Sequence, residues 1–353
     1  MASSVPDGHR RTHDAGGSEL MSAHITGDPP EVLGIGEVMG LLDPDGSGPL
    51  EDAEHFTLRV AGAEANVLIA AARLGHRAAL VSAVGNDPVG RLVRRTLETQ
   101  GVDTSLVQTD PVAPTGVFFK ERFDDGLRRV YYYRDGSAAS RLTPANALLE
   151  HIGTPGVLVV SGLSLGLGRP QGLSAVVRHA VERFAAAGCT VVFDPNIRPG
   201  VWEGPQARED FEQIRGSVDV LLAGGDEMAA LVPDLAVPQA AEALCAEGMR
   251  AVVVKAGAQG AVLYERGSVS PVAPFPVATV IDPVGAGDAF AAGVVTGLLR
   301  GWPLLDGVRL GAVLGARAVT TSGDWEAVPS DQSPERLLDS YVANHASLEA
   351  RSS

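Results

Sequence analysis

The stretch that most constrains how this chain can fold is Asp282-Pro283-Val284-Gly285-Ala286-Gly287-Asp288-Ala289-Phe290-Ala291-Ala292-Gly293. An apolar, strand-like run, Val277 to Ile281, precedes it, and a small-residue run with helical character, Ala289 to Leu299, follows. Gly285 and Gly287 are therefore expected where a strand ends and a helix begins. Two glycines there let the backbone turn sharply and leave its N–H groups uncovered. A helix N-terminus adds unsatisfied donors and a partial positive charge. Together these make a site for a phosphate or another oxyanion. Asp288 is the odd member, because a carboxylate repels an anion. It could serve as an N-cap, or it could take a proton from a hydroxyl that attacks phosphorus. The residues alone leave both readings open.

The chain has 353 residues, enough for one large α/β domain or two small ones. Hydrophobic residues make up 45% of it, which supplies a full-sized core, and the formal net charge is −15. An acidic chain of this kind argues against a general nucleic-acid or anionic-membrane binder. Any nucleotide phosphate must then meet a local positive site. The two cysteines, Cys189 and Cys245, lie far apart with no His or Cys at metal-ligand spacing. They read as buried or idle thiols suited to a reducing cytoplasm. Residues 1–30 carry no signal-peptide core or membrane-spanning run and read as a disordered leader, whose His9, His13 and His24 belong to exposed tail rather than to a metal site.

Taken in order, Val32 to Val38 reads as a buried strand. Gly34, Gly36 and Gly40 nearly spell a dinucleotide fingerprint, but Met39 stands at the third glycine and no helix pattern follows. No Walker motif occurs. Leu41 to Val60 reads as a hairpin outside the main sheet, and Thr115–Phe123 and Arg129–Arg134, joined by an Asp124-Asp125-Gly126 turn, as a second one. A helix over Val67–Leu74, a strand over Leu80–Gly85 and a helix from Asp87 to Gly101 set up a β–α–β rhythm, which predicts a parallel sheet with helices on its faces. Further strands are expected at Val157–Gly162, Thr190–Asp194, Val218–Leu222 and Val252–Lys255. Asp194-Pro195-Asn196-Ile197-Arg198 then falls at a strand's C-terminal end, where open α/β sheets gather binding groups.

The run Asp282–Gly293 resembles the C-terminal signature of the PfkB (ribokinase-like) carbohydrate kinases, whose DxxGAGD pattern forms an anion hole and ends in the catalytic base. The resemblance implies an anion hole of Gly285, Ala286 and Gly287, with Asp288 as base. Gly62-Ala63-Glu64-Ala65-Asn66 is similar to the N-terminal region of the same kinases, in the form found in the ketodeoxygluconate kinase branch. There the glycine and the asparagine touch the sugar, whereas on its residues alone Asn66 reads as a polar helix start. Tyr132-Tyr133-Arg134-Asp135-Gly136-Ser137-Ala138-Ala139-Ser140 resembles that branch's YYRxGSAxS stretch. This implies that Tyr132 and Arg134 grip an acid sugar; the bland alternative is a strand-end arginine beside packing tyrosines. Phe118 stands where similar kinases usually carry a substrate-binding tyrosine.

By the same resemblance, Asn196 and Arg198 meet nucleotide and substrate, and Lys255, Gly257 and Gly260 cradle ATP, although a simple hairpin also explains those glycines. Glu227 is what survives of an NxxE motif that holds Mg²⁺ through water, since Gly224 replaces its asparagine. Asp324 implies a further substrate contact, or else a helix-end cap.

The implied fold is a three-layer α/β ribokinase-like one, with a mainly parallel central sheet and a small β-sheet lid. The implied kinase domain is 31–330, its lid coming from about 41–60 and 113–136, with a terminal helix and tail over 331–353. The implied activity is ATP- and Mg²⁺-dependent phosphorylation of 2-keto-3-deoxygluconate at its terminal hydroxyl, in a cytoplasmic homo-oligomer. Phosphorylation of a neutral sugar such as fructose or ribose is the alternative, and a non-catalytic sugar sensor a more distant one.

Overall fold

Short apolar runs separated by amphipathic segments dictate the architecture. The computed structural model describes residues 28–123, 128–198 and 200–352. The leader through residue 27, with its three histidines, and the turn at 124–127 lie outside the described residues. In chain order the strands are β1 (Val32–Ile35), β2 (Met39–Pro44), β3 (Phe56–Ala61), β4 (Ala78–Gly85), β5 (Val102–Asp103), β6 (Val107–Asp110), β7 (Val117–Arg122), β8 (Arg128–Tyr133), β9 (Val157–Ser161), β10 (Thr190–Asp194), β11 (Val220–Gly224), β12 (Ala251–Lys255), β13 (Ala261–Glu265) and β14 (Ser268–Val272). The helices are α1 (Ala63–Arg73), α2 (Pro88–Thr99), α3 (Gly162–Gly166), α4 (Leu173–Ala186), α5 (Gly204–Ile214), α6 (Gly225–Leu231), α7 (Val237–Ala246), α8 (Ala286–Leu299), α9 (Leu304–Ala318) and α10 (Pro334–Ser352).

Among the described residues, one sheet runs β14-β13-β12-β11-β10-β9-β1-β4-β5, with β6 also paired to β4. Every pairing from β12 to β4 is parallel, and among the described residues of this sheet only the β12–β13 and β13–β14 pairings are antiparallel. Strands buried on both faces must be apolar throughout, and alternate side chains feed two separate cores. Val157, Val159, Val192 and Leu222 pack on one side with residues of α1, α8 and α9. Leu158, Val160, Val191, Phe193 and Leu221 pack on the other with residues of α4, α5 and α7. The mainly parallel three-layer arrangement read from the rhythm of the chain is therefore what folds. Cys189 and Cys245 are both free and buried, and burial pushes the Cys189 thiol up to about 12.

A second sheet runs β3-β2-β7-β8, formed from the two predicted hairpins. Its parallel β2–β7 pairing sets Leu41 beside Phe118, and antiparallel pairing sets Phe118 beside Tyr132. These three, with Met39 and Ala61, line one face and form a small core of their own. Phe56, Leu58, Phe119, Tyr131 and Tyr133 line the other, where Leu58, Tyr131 and Tyr133 are exposed.

One expected element is absent. Val277–Ile281 is not a strand but an irregular connection, with Val280 and Ile281 exposed. Pro274 and Pro276 offer no N–H to a ladder just after β14 ends, so pairing stops there. The segment instead docks on the end of α9, where the Ile281 and Asp282 amides donate to the Val319 carbonyl. A loop rather than a strand therefore delivers the glycine turn to α8.

Candidate active site

The parallel strands end on one edge in Ser161, Asp194, Gly224 and Lys255, and α8 begins nearby. Gly285 is the N-cap of α8, with a left-handed backbone at φ 83°. A Cβ at that position would lie 2.3 Å from the Asp324 carbonyl oxygen, so both its torsion and its neighbour require glycine. No side chain caps this helix, and the first-turn amides of Gly287 and Asp288 have no intrahelical partner. A Cβ at Gly287 would meet only Lys255 Nζ, at 3.8 Å. An open cradle of amides facing a lysine ammonium suits a phosphate group.

Asp288 sits inside the first turn, which rules out the N-cap reading; Gly285 holds that place. Its Oδ2 accepts from Asn66 Nδ2 at 2.7 Å. Burial pushes its carboxyl up to about 8, the Asn66 hydrogen bond and Arg198 pull down, and the charges of Asp324 and Asp194 add to the rise. A carboxylate poised near neutrality is matched to receiving a proton. Asn66 owes its place to Gly62. A Cβ on Gly62 would lie 2.4 Å from the Glu37 carbonyl, so only glycine lets α1 start against the connection between β1 and β2 and project Asn66 inward.

Asp324 is buried five residues beyond the C-cap of α9, so it is not a helix-end cap. Its Oδ2 accepts from Asn66 Nδ2 at 3.4 Å, and its Oδ1 is paired with Lys120 Nζ. Lys120 also lies 3.4 Å from Asp282 Oδ2. Sequence reasoning missed Lys120 and the role of Asp282. The available signal was the period of two along β7, which places Lys120 on the same face as Phe118.

Lys255 Nζ donates to Asp194 Oδ2 at 2.7 Å and lies 4.0 Å from Glu227 Oε2. Burial opposes the Lys255 charge, but Asp194 and Glu227 outweigh it and hold its pKa above the ordinary value. Glu227 accepts from the Ile197 amide at 3.0 Å and from the Gly224 amide at 2.6 Å, so it closes the turn despite the missing asparagine. Among the described residues no group of three or more His, Cys, Asp or Glu could hold a metal alone. Glu227 and Asp194 therefore fit a Mg²⁺ ion only if water and substrate phosphates supply most of its ligands, which is that ion's habit. Asn196 is buried with φ 42°, and the exposed Arg198 donates to the Ile197 carbonyl. Gly257 (φ 54°) and Gly260 (φ 93°) form the tight β12–β13 turn beyond Lys255.

The third group of residues lies at the end of the second sheet. Tyr132 packs on Phe118 at 5.7 Å between ring centroids, and the Arg134 guanidinium carbon is 5.6 Å from the Tyr132 ring centroid. Arg134 is only 5% exposed, and its Nε lies 2.6 Å from Glu37 Oε2. Ser137 Oγ donates to the other Glu37 oxygen at 2.5 Å. Arg134 Nη1 is buried with no hydrogen-bond partner among the described residues. Glu37, not singled out by the sequence, thus anchors the arginine that was.

These features converge with comparisons to known proteins. Residues 30–331 match the model of the pfkB family carbohydrate kinases, and the chain belongs to that family. It is a phosphotransferase that acts on a sugar. The 2-dehydro-3-deoxygluconokinase of Bacillus subtilis (strain 168) is 32% identical to it, over 89% of this chain and 97% of the relative. That of Thermoproteus tenax is 34% identical, over 87% and 94%. A candidate ribokinase II from E. coli, solved in complex with ATP and Mg²⁺, superposes with a TM-score of 0.78 at 25% identity, covering 90% of this chain and all of that one.

Proposed function

We propose that this enzyme transfers the γ-phosphoryl group of ATP to the terminal hydroxyl of 2-keto-3-deoxygluconate, forming the 6-phosphate. Residues 31–330 act as the catalytic domain, the second sheet as its lid, and 331–353 as a terminal helix and tail. Asp288 takes the hydroxyl proton, and Asn66 holds its carboxylate in line. The amides from Gly285 to Gly287 and the Lys255 ammonium receive charge on the transferring phosphoryl group. Asn196, Arg198 and the Gly257–Gly260 turn flank the nucleotide. Glu227 would hold a Mg²⁺ ion through water, and that ion would supply charge neutralisation at the phosphates. Gly62, Asn66, Phe118, Tyr132, Arg134, Arg198 and Asp324 surround the sugar, and the second sheet excludes water as a competing acceptor.

The observation that carries the acid substrate is the buried Nη1 of Arg134, which has no hydrogen-bond partner among the described residues. A buried cationic donor left without an acceptor is costly, and a ligand carboxylate would satisfy it. The neutral-sugar reading draws on the Glu37 contact, which already compensates that charge, and on Phe118, which lacks a hydroxyl. A screen of acid and neutral sugars with ATP, following ADP release, separates the two. 2-Keto-3-deoxygluconate should be preferred, and Arg134→Ala should raise its KM while sparing slow turnover of neutral sugars. Preference for fructose or ribose, or an equal effect on both classes, would overturn the acid-sugar reading.

No helix among the described residues is long and apolar enough to cross a membrane. A cytoplasmic location fits that and the two buried thiols, and cell fractionation tests it. A homo-oligomer fits the aromatic outer face of the second sheet. Sedimentation of wild type against Tyr133→Arg tests it, and a wild type that sediments as a monomer would rule it out.

A further inference from the structure

Lys120 stands on the lid sheet, yet its ammonium is sealed among groups of the main domain. It is 1% exposed, and its two close partners, Asp282 and Asp324, are 0% and 6% exposed. Each of these carboxylates uses its second oxygen to hold part of the site. Asp282 Oδ1 accepts from the Val284 amide at 3.0 Å, ahead of the glycine turn. Asp324 Oδ2 accepts from Asn66, whose same nitrogen donates to Asp288. Gly285 lies directly against the Asp324 backbone. One ammonium thus ties β7 to the entry of the anion loop, to the residue beneath its turn, and through Asn66 to the base.

We propose that Lys120 is a positioning residue that couples seating of the lid sheet to the protonation of Asp288 and to the geometry of the anion loop. The inference rests on the reading of Asp288 as base. The Lys120 charge offsets Asp324 and Asp282. Without it the Asp324 carboxylate, whose charge already raises the proton affinity of Asp288, would stand uncompensated and raise it further. The other charged groups near Asp288 are Asp194 and Arg198 from the β10 end and Lys255 from β12, and none of them contacts Lys120. Asp43 on β2 also faces Lys120, but Arg59 and Arg122 already pair with it.

The test compares the pH dependence of kcat/KM for Lys120→Met, Lys120→Arg and wild type, using the sugar selected by the substrate screen. Lys120→Met should move the acid limb up by about one pH unit. It should lower kcat about 10–100-fold through misplacement of the loop, with ATP affinity by calorimetry near wild type. Lys120→Arg should restore the limb. The double variant Lys120→Met with Asp324→Asn removes one uncompensated charge, so its limb should return toward wild type; it also serves if Lys120→Met alone does not fold. A folded Lys120→Met enzyme with the wild-type limb would overturn the proposal, as would a double variant whose limb stays as high as that of Lys120→Met. Asp288→Asn is measured alongside. If it keeps turnover, the base assignment fails; if it is dead while the Lys120 variants keep the wild-type limb, only the coupling fails.

Discussion

Two lysine–carboxylate clusters flank the start of α8, and they are built for opposite purposes. Lys120 with Asp282 and Asp324 is closed, its side chains between 0% and 6% exposed. Lys255 with Asp194 and Glu227 is open, its side chains between 14% and 19% exposed. A closed pair cannot exchange partners without leaving a buried charge bare, so it acts as a fixed joint. An open pair beside uncovered amides can release its carboxylate and take a phosphate instead. Asp288 stands between the two and feels both.

The largest expected effect falls on that shared residue. Asp288→Asn should lower kcat by about 10²–10⁴ while ATP still binds; turnover near the wild-type rate would remove the base from the picture. The same change should raise the unfolding temperature. Burial pushes the folded Asp288 carboxyl up to about 8, far above the ordinary aspartate value. The fold therefore loses stability as pH climbs from the unfolded pKa through about 8, and asparagine escapes that loss. For the same reason wild-type kcat/KM should fall about tenfold per pH unit below about 8. A flat profile down to pH 6 would contradict a base of that strength.

Next come the two lysines, which sharpen the contrast directly. Lys120→Met should cost about 3–5 kcal/mol of stability, since it strands two buried carboxylates. Lys255→Met should leave the denaturation midpoint nearly unchanged and raise KM for ATP about tenfold, the value of one charge-assisted contact. If denaturant titrations showed equal losses for both, the division into joint and exchange site would fail. The smallest effect is expected from Glu227→Gln, which should raise the Mg²⁺ needed for half-maximal rate a few-fold. An unchanged Mg²⁺ titration would mean that Glu227 only closes its turn.

Local patterns determined a good deal of this protein. Alternation along short apolar runs and helices between them specified a parallel sheet with two cores, because side-chain direction follows backbone period. The motif from Asp282 to Gly293 located the glycine turn ahead of α8, since few residues other than glycine tolerate the torsion at Gly285. Val277–Ile281 misled because an apolar run looks like a strand wherever it falls, while pairing depends on a neighbouring edge and on free N–H groups that Pro274 and Pro276 interrupt. What only the tertiary structure decided are the partners of charged groups. Lys120, Glu37 and Asp282 carry no local sign of their partners, because ion pairing joins residues more than 95 positions apart (Lys120 with Asp282 and Asp324, Glu37 with Arg134). A charged side chain declares itself structural or catalytic only through what the fold brings within a few ångströms of it, since desolvation and Coulomb attraction act across space and not along the chain.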